Sequence, residues 1–304
     1  MATAAPASTQ PETVRVSVVV PAFNEEDGIS GVVSGLRAAM EGAGLKASDD
    51  YEVLVVDDGS TDRTAARASE SGARVLRHPT NRGYGRALLS GFEAARFPWV
   101  LMIDADGSYP PADSAALLPF APRFDMVIGA RQGKLFWGSA LQTFLRWVYL
   151  TLASFVAGER IPDANSGLRL IRREALDRSM PVLCYGYSLS TTMTLSFLQG
   201  GRFVTFVPVS YIERKGSSKV RGFRDIPRTL QIMLQVILYY NPMKFAVCLA
   251  AVPGLCALLS LACYATCPRT TDLVLFAVFL ATALGVFLSG CILDALRLNR
   301  PPRP

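Results

Sequence analysis

Two long apolar segments near the C-terminus limit the folds open to this chain more than any other feature of its sequence. Phe245 to Thr266 and Leu273 to Leu293 each reach the roughly 20 apolar residues that a helix needs to cross a bilayer. Only the short polar connection CPRTTD separates them. The pair predicts a hairpin of two transmembrane helices over residues 243–296, which returns a basic tail, residues 297–304, to the side where the chain entered.

The arginines of that tail predict the orientation of the hairpin. Positively charged segments beside transmembrane helices tend to stay in the cytoplasm, so we expect the residues before the hairpin to form a cytoplasmic domain. Over all 304 residues the hydrophobic share is 50% and the mean hydropathy is +0.28. These values suit a soluble domain with a membrane anchor rather than a polytopic transporter. The sequence therefore predicts an integral membrane protein whose larger part is cytoplasmic.

Charge and cysteine content exclude several classes of ligand. The net charge of +6 is spread along the chain without a basic helix or an RNA-binding aromatic motif, so nucleic acid is not an expected partner. An anionic membrane surface or a phosphate-bearing substrate suits this charge better. The 6 cysteines form no CxxC pair, so they predict neither a zinc site nor a disulfide framework.

Three further segments are assigned from their composition. Residues 1–13 lack the basic start and apolar core of a signal peptide and are expected to form a disordered tail. The run from Leu135 to Gly158 carries one charge, Arg146, and its aromatic residues are typical of a helix that lies at the membrane surface without crossing it. Residues 223–242 likewise predict an amphipathic interface helix, which ends at Pro242.

Residues 14–222 alternate between strand and helix patterns, as in an α/β domain. Apolar, β-branched runs such as VRVSVVVP and YEVLVVDD are typical of buried strands, and each precedes a polar turn and a helical segment. ARVLRH, FPWVLMIDAD and FDMVIGAR continue the strands, with GYGRALLSGFEAAR as a helix. This order predicts a doubly wound, Rossmann-like and mostly parallel sheet, which binds ligands at the carboxyl ends of its strands.

Polar motifs stand at three of those strand ends. PAFNEEDG ends the first strand, DDGSTD the second and DADGSYPP the fourth. Ser60, Thr61 and Asp62 suit a turn and a helix cap. Capping does not explain Asp57 and Asp58 at the end of an apolar strand, so we expect a ligand at this edge of the sheet.

Asp104 and Asp106 predict a metal site at the third of these strand ends. Residues i and i+2 of an extended segment point the same way, so both carboxylates can reach one target. Hard divalent cations prefer oxygen ligands, and Mg²⁺ commonly combines one or two carboxylates with the phosphates of a nucleotide. We therefore expect Mg²⁺ or Mn²⁺ and a diphosphate beside these aspartates.

Taken in order, these motifs resemble those of the inverting GT-A glycosyltransferases of family 2, and within them the polyprenyl-phosphate glycosyltransferases. Dolichol-phosphate mannose synthase and its relatives share PxxNE, DDGSxD and DADxxxPP, and some members have the terminal hairpin. The resemblance implies a metal-dependent enzyme that transfers a sugar, with inversion, from a UDP- or GDP-linked donor to a membrane polyprenyl phosphate, undecaprenyl or dolichyl. It implies a metal held by Asp104 and Asp106. It implies nucleotide contacts at Pro21, Phe23, Glu25, Asp57, Asp58 and Asp104.

Later motifs resemble the acceptor side of that family. DANSGLRLIRR, residues 163–173, is similar to its D-x-x-SG-x-R segment, and ERKGSSKVRGFRD, residues 213–225, to its R-x-G-x-SK loop. Basic side chains clustered beside a nucleotide site and a membrane anchor are suited to binding phosphate. With the arginine of GAR, the motifs imply an acceptor-phosphate cluster of Arg131, Arg169, Arg214, Lys215, Ser218 and Lys219. Asp104, Asp106, Arg131 and Lys219 are the expected catalytic residues.

The stretch YGYSLSTTMTLSF, residues 185–197, has no carboxylate where relatives that act on a hydroxyl carry a general base. Many polyprenyl-phosphate relatives keep a glutamate there, so Thr191 and Thr192 are a departure. A phosphate acceptor tolerates the gap, because its second pKa of about 6 leaves it negatively charged at neutral pH.

Two alternatives stay open: a transferase acting on a hydroxyl acceptor, and a non-catalytic nucleotide-sugar binder anchored in the membrane. A homo-oligomer is compatible with the sequence, which specifies neither the sugar, the base nor the lipid length.

Overall fold

The chain divides into two units, Met1–Thr229 and Leu230–Pro304. The computed structural model describes residues 14–179, 189–212, 231 and 233–299. The first unit contains a β-sheet with helices, and the second contains two long apolar helices. The boundary between the units falls inside the segment predicted as an interface helix, residues 223–242.

The first unit is built on a seven-stranded sheet. Its strands lie in the order β3-β2-β1-β4-β6-β5-β7, and β6 alone among them runs antiparallel to its neighbours. The predicted mostly parallel sheet is therefore confirmed. The strands are β1 (Val16–Ala22), β2 (Tyr51–Asp57), β3 (Arg74–Arg77), β4 (Trp99–Met102), β5 (Met126–Arg131), β6 (Arg169–Arg172) and β7 (Val204–Val209).

Helices cover both faces of the sheet, and this explains why the central strands are apolar throughout. Along β1, Val18 and Val20 pack in one apolar cluster with α1, whereas Val19 packs in a second cluster with α3. The helices of this unit are α1 (Ile29–Gly42), α2 (Thr64–Glu70), α3 (Tyr84–Ala94), α4 (Pro111–Ala115), α5 (Lys134–Trp137), α6 (Ala140–Ala157), α7 (Arg173–Ser179) and α8 (Leu189–Gln199), with a 3₁₀ turn at Leu118–Arg123.

Helix α3 lies close against the sheet at Gly91. A Cβ atom at this position would come within 2.3 Å of Val19 Cγ1, so only glycine allows the helix to approach β1 so closely. Leu88 and Phe92 of the same helix are buried in the cluster around Val19. Burial of such a side chain contributes roughly 1.5–3 kcal/mol. The packing fixes the start of α3, Tyr84, relative to the strand ends.

The run predicted as one interface helix contains two helices, α5 and α6. Gly138 adopts a left-handed φ of 70°, and Ser139 and Gln142 form a capping box that starts α6 afresh. Helix α6 buries Ala153 and Val156 and exposes larger apolar residues, Leu141, Phe144, Leu145 and Trp147. Its placement at a membrane surface stays a prediction.

The second unit confirms the predicted pair of long apolar helices, Pro242–Thr266 and Thr270–Leu298. Asn241 caps the first by accepting a hydrogen bond from Lys244 N at 3.0 Å, and Pro242 begins it. The two helices approach closely at Gly290, where a Cβ would lie 2.2 Å from the Cβ of Ala246.

By length and composition, three helices in the described part of the chain could cross a membrane: these two and α6. The chain is therefore a membrane protein, as predicted.

Candidate active site

The loops that follow β1 and β2 are tied together by reciprocal hydrogen bonds. Ser60 Oγ accepts from Asn24 N at 3.0 Å, Asn24 Oδ1 accepts from Thr61 N at 3.0 Å, and Thr64 Oγ1 accepts from Glu25 N at 2.9 Å. Asn24 has a left-handed φ of 52°, which asparagine tolerates better than most residues. Ser60 and Thr61, interpreted from sequence as part of a turn and helix cap, therefore join two strand-end loops, together with Thr64.

A second layer of bonds strengthens the same junction. Asp62 Oδ2 accepts from Glu26 N at 3.3 Å, and Glu26 Oε2 accepts from Arg63 N at 3.0 Å. Partial burial acts to raise the pKa of Asp62, but hydrogen bonds from Thr64 and the backbone outweigh it and lower the pKa. Phe23 and Glu25, two of the predicted nucleotide contacts, belong to this braced loop, and Pro21 lies in β1.

Asp57 and Asp58 are both buried and organise the turn between β2 and α2. Asp57 accepts a hydrogen bond from Ser60 N at 3.0 Å and lies 3.1 Å from Arg77 Nε. Asp58 contacts His78 Nδ1 at 2.7 Å. These contacts hold the loop after β3 beside the DDGSTD turn, and a nucleoside contact by either aspartate stays a prediction.

Asp58 also accepts hydrogen bonds from the backbone of the segment that leads into α3. Its carboxylate accepts from Arg82 N at 2.9 Å and from Gly83 N at 2.7 Å. His78 Nε2 lies 3.0 Å from Ser90 Oγ of α3, so the histidine links Asp58 to this helix as well. The lone histidine therefore has a supporting position between two elements.

Asp104 and Asp106 lie just beyond the end of β4. Ile103, between β4 and Asp104, extends the pairing with β1 by donating its backbone N–H to Val19 O at 3.2 Å. Asp104 Oδ1 accepts a hydrogen bond from Tyr84 Oη at 2.8 Å. Burial and then the charge of Asp104 raise the pKa of Tyr84 well above its ordinary value, so its hydroxyl stays protonated and donates. Asp106 Oδ1 accepts from Ser108 N at 3.0 Å, which fixes that side chain too.

The two carboxylates at this strand end suit a hard divalent cation whose remaining ligands are water and substrate phosphates. Among the residues that the structure describes, no three or more Asp, Glu, His or Cys side chains gather as metal ligands. Two aspartates with water and substrate phosphates are an ordinary Mg²⁺ arrangement. Opposite them, a Cβ at Gly167 would come within 2.1 Å of Asp104 Oδ2, so glycine leaves room for this carboxylate.

Arg131 ends β5 and forms a two-pronged ion pair with Asp163. Its Nε and Nη2 donate to the Asp163 carboxylate at 2.7 and 2.9 Å. The guanidinium also lies 5.1 Å from the ring centre of Phe136 and 5.3 Å from that of Tyr211. Burial acts to lower the pKa of Arg131, but Tyr109 and Asp163 raise it, so the group stays charged.

Arg169 has a different position from the one expected from sequence. It is fully buried in β6, and its guanidinium donates to Ser166 O at 2.9 Å, Ala164 O at 2.8 Å and Thr194 Oγ1 at 2.8 Å. Burial lowers its pKa to about 10. In this placement the guanidinium is bonded to the segment 163–168 and to α8 and is not exposed for the phosphate contact that the motif implied.

Helix α8 reaches the same segment through its first turn. Tyr149 Oη of α6 lies 2.9 Å from Asn165 Oδ1 and 2.7 Å from Thr191 Oγ1, and Thr191 also donates to Asn165. Thr191 and Thr192 are buried, and α8, Leu189–Gln199, contains no carboxylate. Asn165 is two residues from Gly167, which faces Asp104, so the carboxylate-free helix contacts the same segment that packs against the predicted metal site.

The remaining predicted acceptor residues, Arg214, Lys215, Ser218 and Lys219, lie outside the described residues. Sequence reasoning missed Tyr84 and Asp163 as partners of the predicted site residues. Asp163 was visible as the first residue of the DANSGLR motif, but its pairing with Arg131 needs the three-dimensional fold. Tyr84 gave no sequence signal beyond its place in the glycine-rich segment RGYGR.

A mostly parallel sheet with acidic motifs at the carboxyl ends of β1, β2 and β4 is the arrangement expected of a GT-A glycosyltransferase. The model of the Glycosyl transferase family 2 matches residues 17–179, more than half of the chain. The chain belongs to this family and is a glycosyltransferase, as predicted.

Curated relatives confirm the similarity to polyprenyl-phosphate glycosyltransferases. The undecaprenyl-phosphate mannosyltransferase of Micrococcus luteus is 29% identical over 69% of this chain and 88% of its own. The polyprenol monophosphomannose synthase of Mycolicibacterium smegmatis is 30% identical over 71% of this chain and 84% of its own. A low-salt glycan biosynthesis hexosyltransferase, Agl6 of Haloferax volcanii, is 31% identical over 72% of this chain, which spans 53% of that relative.

Solved structures show the same fold. Glucosyl-3-phosphoglycerate synthase from Mycobacterium tuberculosis, in complex with phosphoglyceric acid, superposes with a TM-score of 0.58 at 23% identity, covering 73% of this chain and 80% of its own. The same enzyme with Mn²⁺, UDP-glucose and phosphoglyceric acid gives 0.57 at 22% identity, over 73% and 79% of the two chains.

Proposed function

We propose that this glycosyltransferase moves a sugar from a nucleotide sugar to the phosphate of a membrane polyprenyl phosphate, with inversion at the sugar carbon. The observation that carries the proposal is the carboxylate-free first turn of α8, where Thr191 joins the segment that faces Asp104. The long apolar helices and the named activities of the relatives support a lipid acceptor.

An acceptor that needs no general base explains this arrangement. A hydroxyl must lose a proton as it attacks, whereas a monoalkyl phosphate with a second pKa of about 6 is already an anion at pH 7. In the proposed reaction a phosphate oxygen forms a bond to the sugar C1, and the bond from C1 to the donor diphosphate breaks. The electron pair leaves with the nucleoside diphosphate, so charges and atoms balance without proton transfer.

The residues of the strand ends have separate roles in this proposal. The braced loop of Phe23 and Glu25, with Pro21 and the Asp57–Asp58 turn, borders the nucleoside. Asp104 and Asp106 would hold Mg²⁺ or Mn²⁺, which supplies positive charge to the departing diphosphate. The Mn²⁺ in complexes of the structurally similar glucosyl-3-phosphoglycerate synthase supports a divalent ion.

Cationic groups would complete the acceptor side. Arg131 is held in place by Asp163 and the two aromatic rings, so its guanidinium is preorganised for a phosphate. Arg214, Lys215, Ser218 and Lys219 are proposed to contact the same phosphate, as the family motif implies. Arg169 is proposed to support the segment 163–168 instead.

The membrane arrangement belongs to the same proposal. The two apolar helices of the second unit form a hairpin, and the catalytic unit and the C-terminal tail face the cytoplasm. Helix α6 lies at the membrane surface with Leu141, Phe144 and Trp147 toward the lipid, because these exposed side chains would otherwise face water.

The proposal is tested with the full chain reconstituted in vesicles containing undecaprenyl phosphate and Mn²⁺, and supplied with a panel of UDP- and GDP-linked sugars. At least one donor is expected to give a lipid-linked sugar phosphate, identified by mass spectrometry. Asp106→Asn is the matched inactive control. Donor binding without product from any acceptor would instead identify a non-catalytic nucleotide-sugar binder.

A further inference from the structure

A three-residue segment, Arg82–Gly83–Tyr84, connects the DDGSTD turn to the DAD motif. Its backbone N–H groups at Arg82 and Gly83 donate to the Asp58 carboxylate at 2.9 and 2.7 Å. The next residue, Tyr84, donates its hydroxyl to Asp104 Oδ1 at 2.8 Å. The two acidic motifs, which lie more than 40 positions apart in the sequence, are thus joined by adjacent residues.

Several contacts restrict the position of Tyr84. It is the first residue of α3, which is held against β1 by the close approach at Gly91. The same helix is tied to Asp58 through Ser90 and His78, at 3.0 and 2.7 Å. The tyrosine hydroxyl is therefore presented to Asp104 from a packed helix rather than from a mobile loop.

The opposite side of the same carboxylate faces Gly167. A Cβ built there would lie 2.1 Å from Asp104 Oδ2 and 2.5 Å from Cγ, a distance that no side chain could occupy without moving the carboxylate. Asp104 thus has a hydrogen-bond donor against one oxygen and a glycine backbone against the other. These two constraints select one orientation of the carboxylate.

We propose that Tyr84 is a positioning residue that, together with Gly167, holds Asp104 in the orientation needed to bind the divalent cation. This inference rests on the proposed function, because that function assigns the metal to Asp104 and Asp106. Partners that orient metal-binding carboxylates typically change metal affinity by about 10–100-fold when they are removed. Tyr84 does not contact the acceptor in this proposal, so its removal acts through the metal.

Direct Mn²⁺ binding to the purified full chain, measured by electron paramagnetic resonance without nucleotide, tests the proposal. Tyr84→Phe keeps the ring and removes only the hydroxyl, and we expect it to weaken Mn²⁺ binding about 10–100-fold. Tyr51→Phe is the matched control, because the Tyr51 hydroxyl likewise donates to a carboxylate, that of Glu41, at 2.8 Å and away from the DAD motif. Its Mn²⁺ affinity should equal that of the parent.

Gly167→Ala perturbs the carboxylate from the other side and is expected to weaken Mn²⁺ binding in the same direction. Melting temperatures of all variants show whether each is folded. Parent-like Mn²⁺ affinity in Tyr84→Phe would overturn the positioning role and leave the proposed function intact. The binding measurements are repeated with UDP or GDP present, because the nucleotide phosphates are expected to complete the metal shell. Parent-like affinity in Asp106→Asn, or no Mn²⁺ binding by the parent with or without nucleotide, would overturn the metal assignment on which both proposals depend.

Discussion

Replacing Asp163 by asparagine is expected to destabilise the catalytic unit strongly. The Asp163 side chain is 2% exposed and accepts two charge-assisted hydrogen bonds from Arg131, at 2.7 and 2.9 Å. It also accepts from the backbone N–H groups of Arg131 and Asn165, at 3.2 and 3.1 Å. Asparagine has a single acceptor oxygen, so it can keep only one of these two backbone contacts, which go to different oxygens of Asp163. It also leaves the Arg131 guanidinium, whose side chain is 16% exposed, without its counter-ion.

Breaking one partner of a buried ion pair costs about 3–5 kcal/mol. Because the Arg131 side chain keeps some contact with water, at 16% exposure, we expect the lower end, about 3 kcal/mol. In a domain of this size each kcal/mol lowers the melting temperature by about 2–4 °C, so the expected fall is about 6–12 °C. The measurement is thermal unfolding of the purified full chain in detergent, followed by intrinsic fluorescence.

An exposed ion pair in the same unit provides the control. Arg63 and Glu70 lie 3.5 Å apart with side chains 66% and 63% exposed, so Glu70→Gln should leave the melting temperature unchanged within error. In Arg131→Met/Asp163→Asn the unpaired charge is gone, and the double variant should lose less stability than the sum of the single variants. Additive losses, or a fall in Asp163→Asn no larger than in Glu70→Gln, would refute the reasoning.

Four further predictions test the site and the membrane arrangement. Asp106→Asn should abolish Mn²⁺-dependent sugar transfer and keep the parent melting temperature, because its carboxylate lies at a strand end; unchanged turnover in saturating Mn²⁺ would contradict the metal role. Lys219→Ala should raise the lipid KM or lower kcat about tenfold to over a hundredfold, because it removes a charge-assisted contact to the acceptor phosphate. Donor binding, measured separately, should change less, and normal lipid kinetics would remove Lys219 from the acceptor site. The pH profile of lipid transfer should fall only below about pH 6, where the acceptor phosphate becomes singly charged, and an added ionisation near neutral pH that disappears in a protein variant would indicate a general base. Cys267, exposed in the connection between the two apolar helices, should react with an impermeant maleimide only from the outer side. Cys267→Ser measures the labelling of other cysteines, and labelling of Cys267 from the cytoplasmic side would contradict the hairpin.

Local sequence patterns were enough to predict much of the fold. The five apolar runs proposed as strands correspond to β1 to β5, and GYGRALLSGFEAAR contains α3. Burial on both faces imposes the same apolar composition on neighbouring positions, so the pattern is readable without the fold. The two terminal helices were predictable for a similar reason, because bilayer thickness alone sets their length and composition.

Arg169 shows what the sequence could not reveal. The motif SGLR places an arginine beside a polar segment, and a surface phosphate contact is a reasonable interpretation of that pattern. Its hydroxyl partner, Thr194, is 25 positions away on α8, and β6 becomes an inner strand only when it pairs antiparallel with β4 and β5. Tertiary contacts therefore determine that this arginine is buried.

The bracing of the loops after β1 and β2 was hidden for the same reason. Ser60, Thr61 and Thr64 have the composition of a helix start, and nothing nearby in the sequence shows that their partners are Asn24 and Glu25. Those partners lie 36 to 39 positions earlier and meet them only because β1 and β2 pair in parallel, with their carboxyl ends together.

A comparison of two lipids distinguishes a phosphate acceptor from a hydroxyl acceptor. Vesicles of equal composition receive either undecaprenyl phosphate or the free polyprenol of the same length, and transfer is followed with the donor that the panel identifies, in Mn²⁺ at pH 7.5. We expect a lipid-linked sugar phosphate from the first lipid and no product from the second. Efficient transfer to the free polyprenol would contradict this expectation and identify a hydroxyl-acceptor glycosyltransferase.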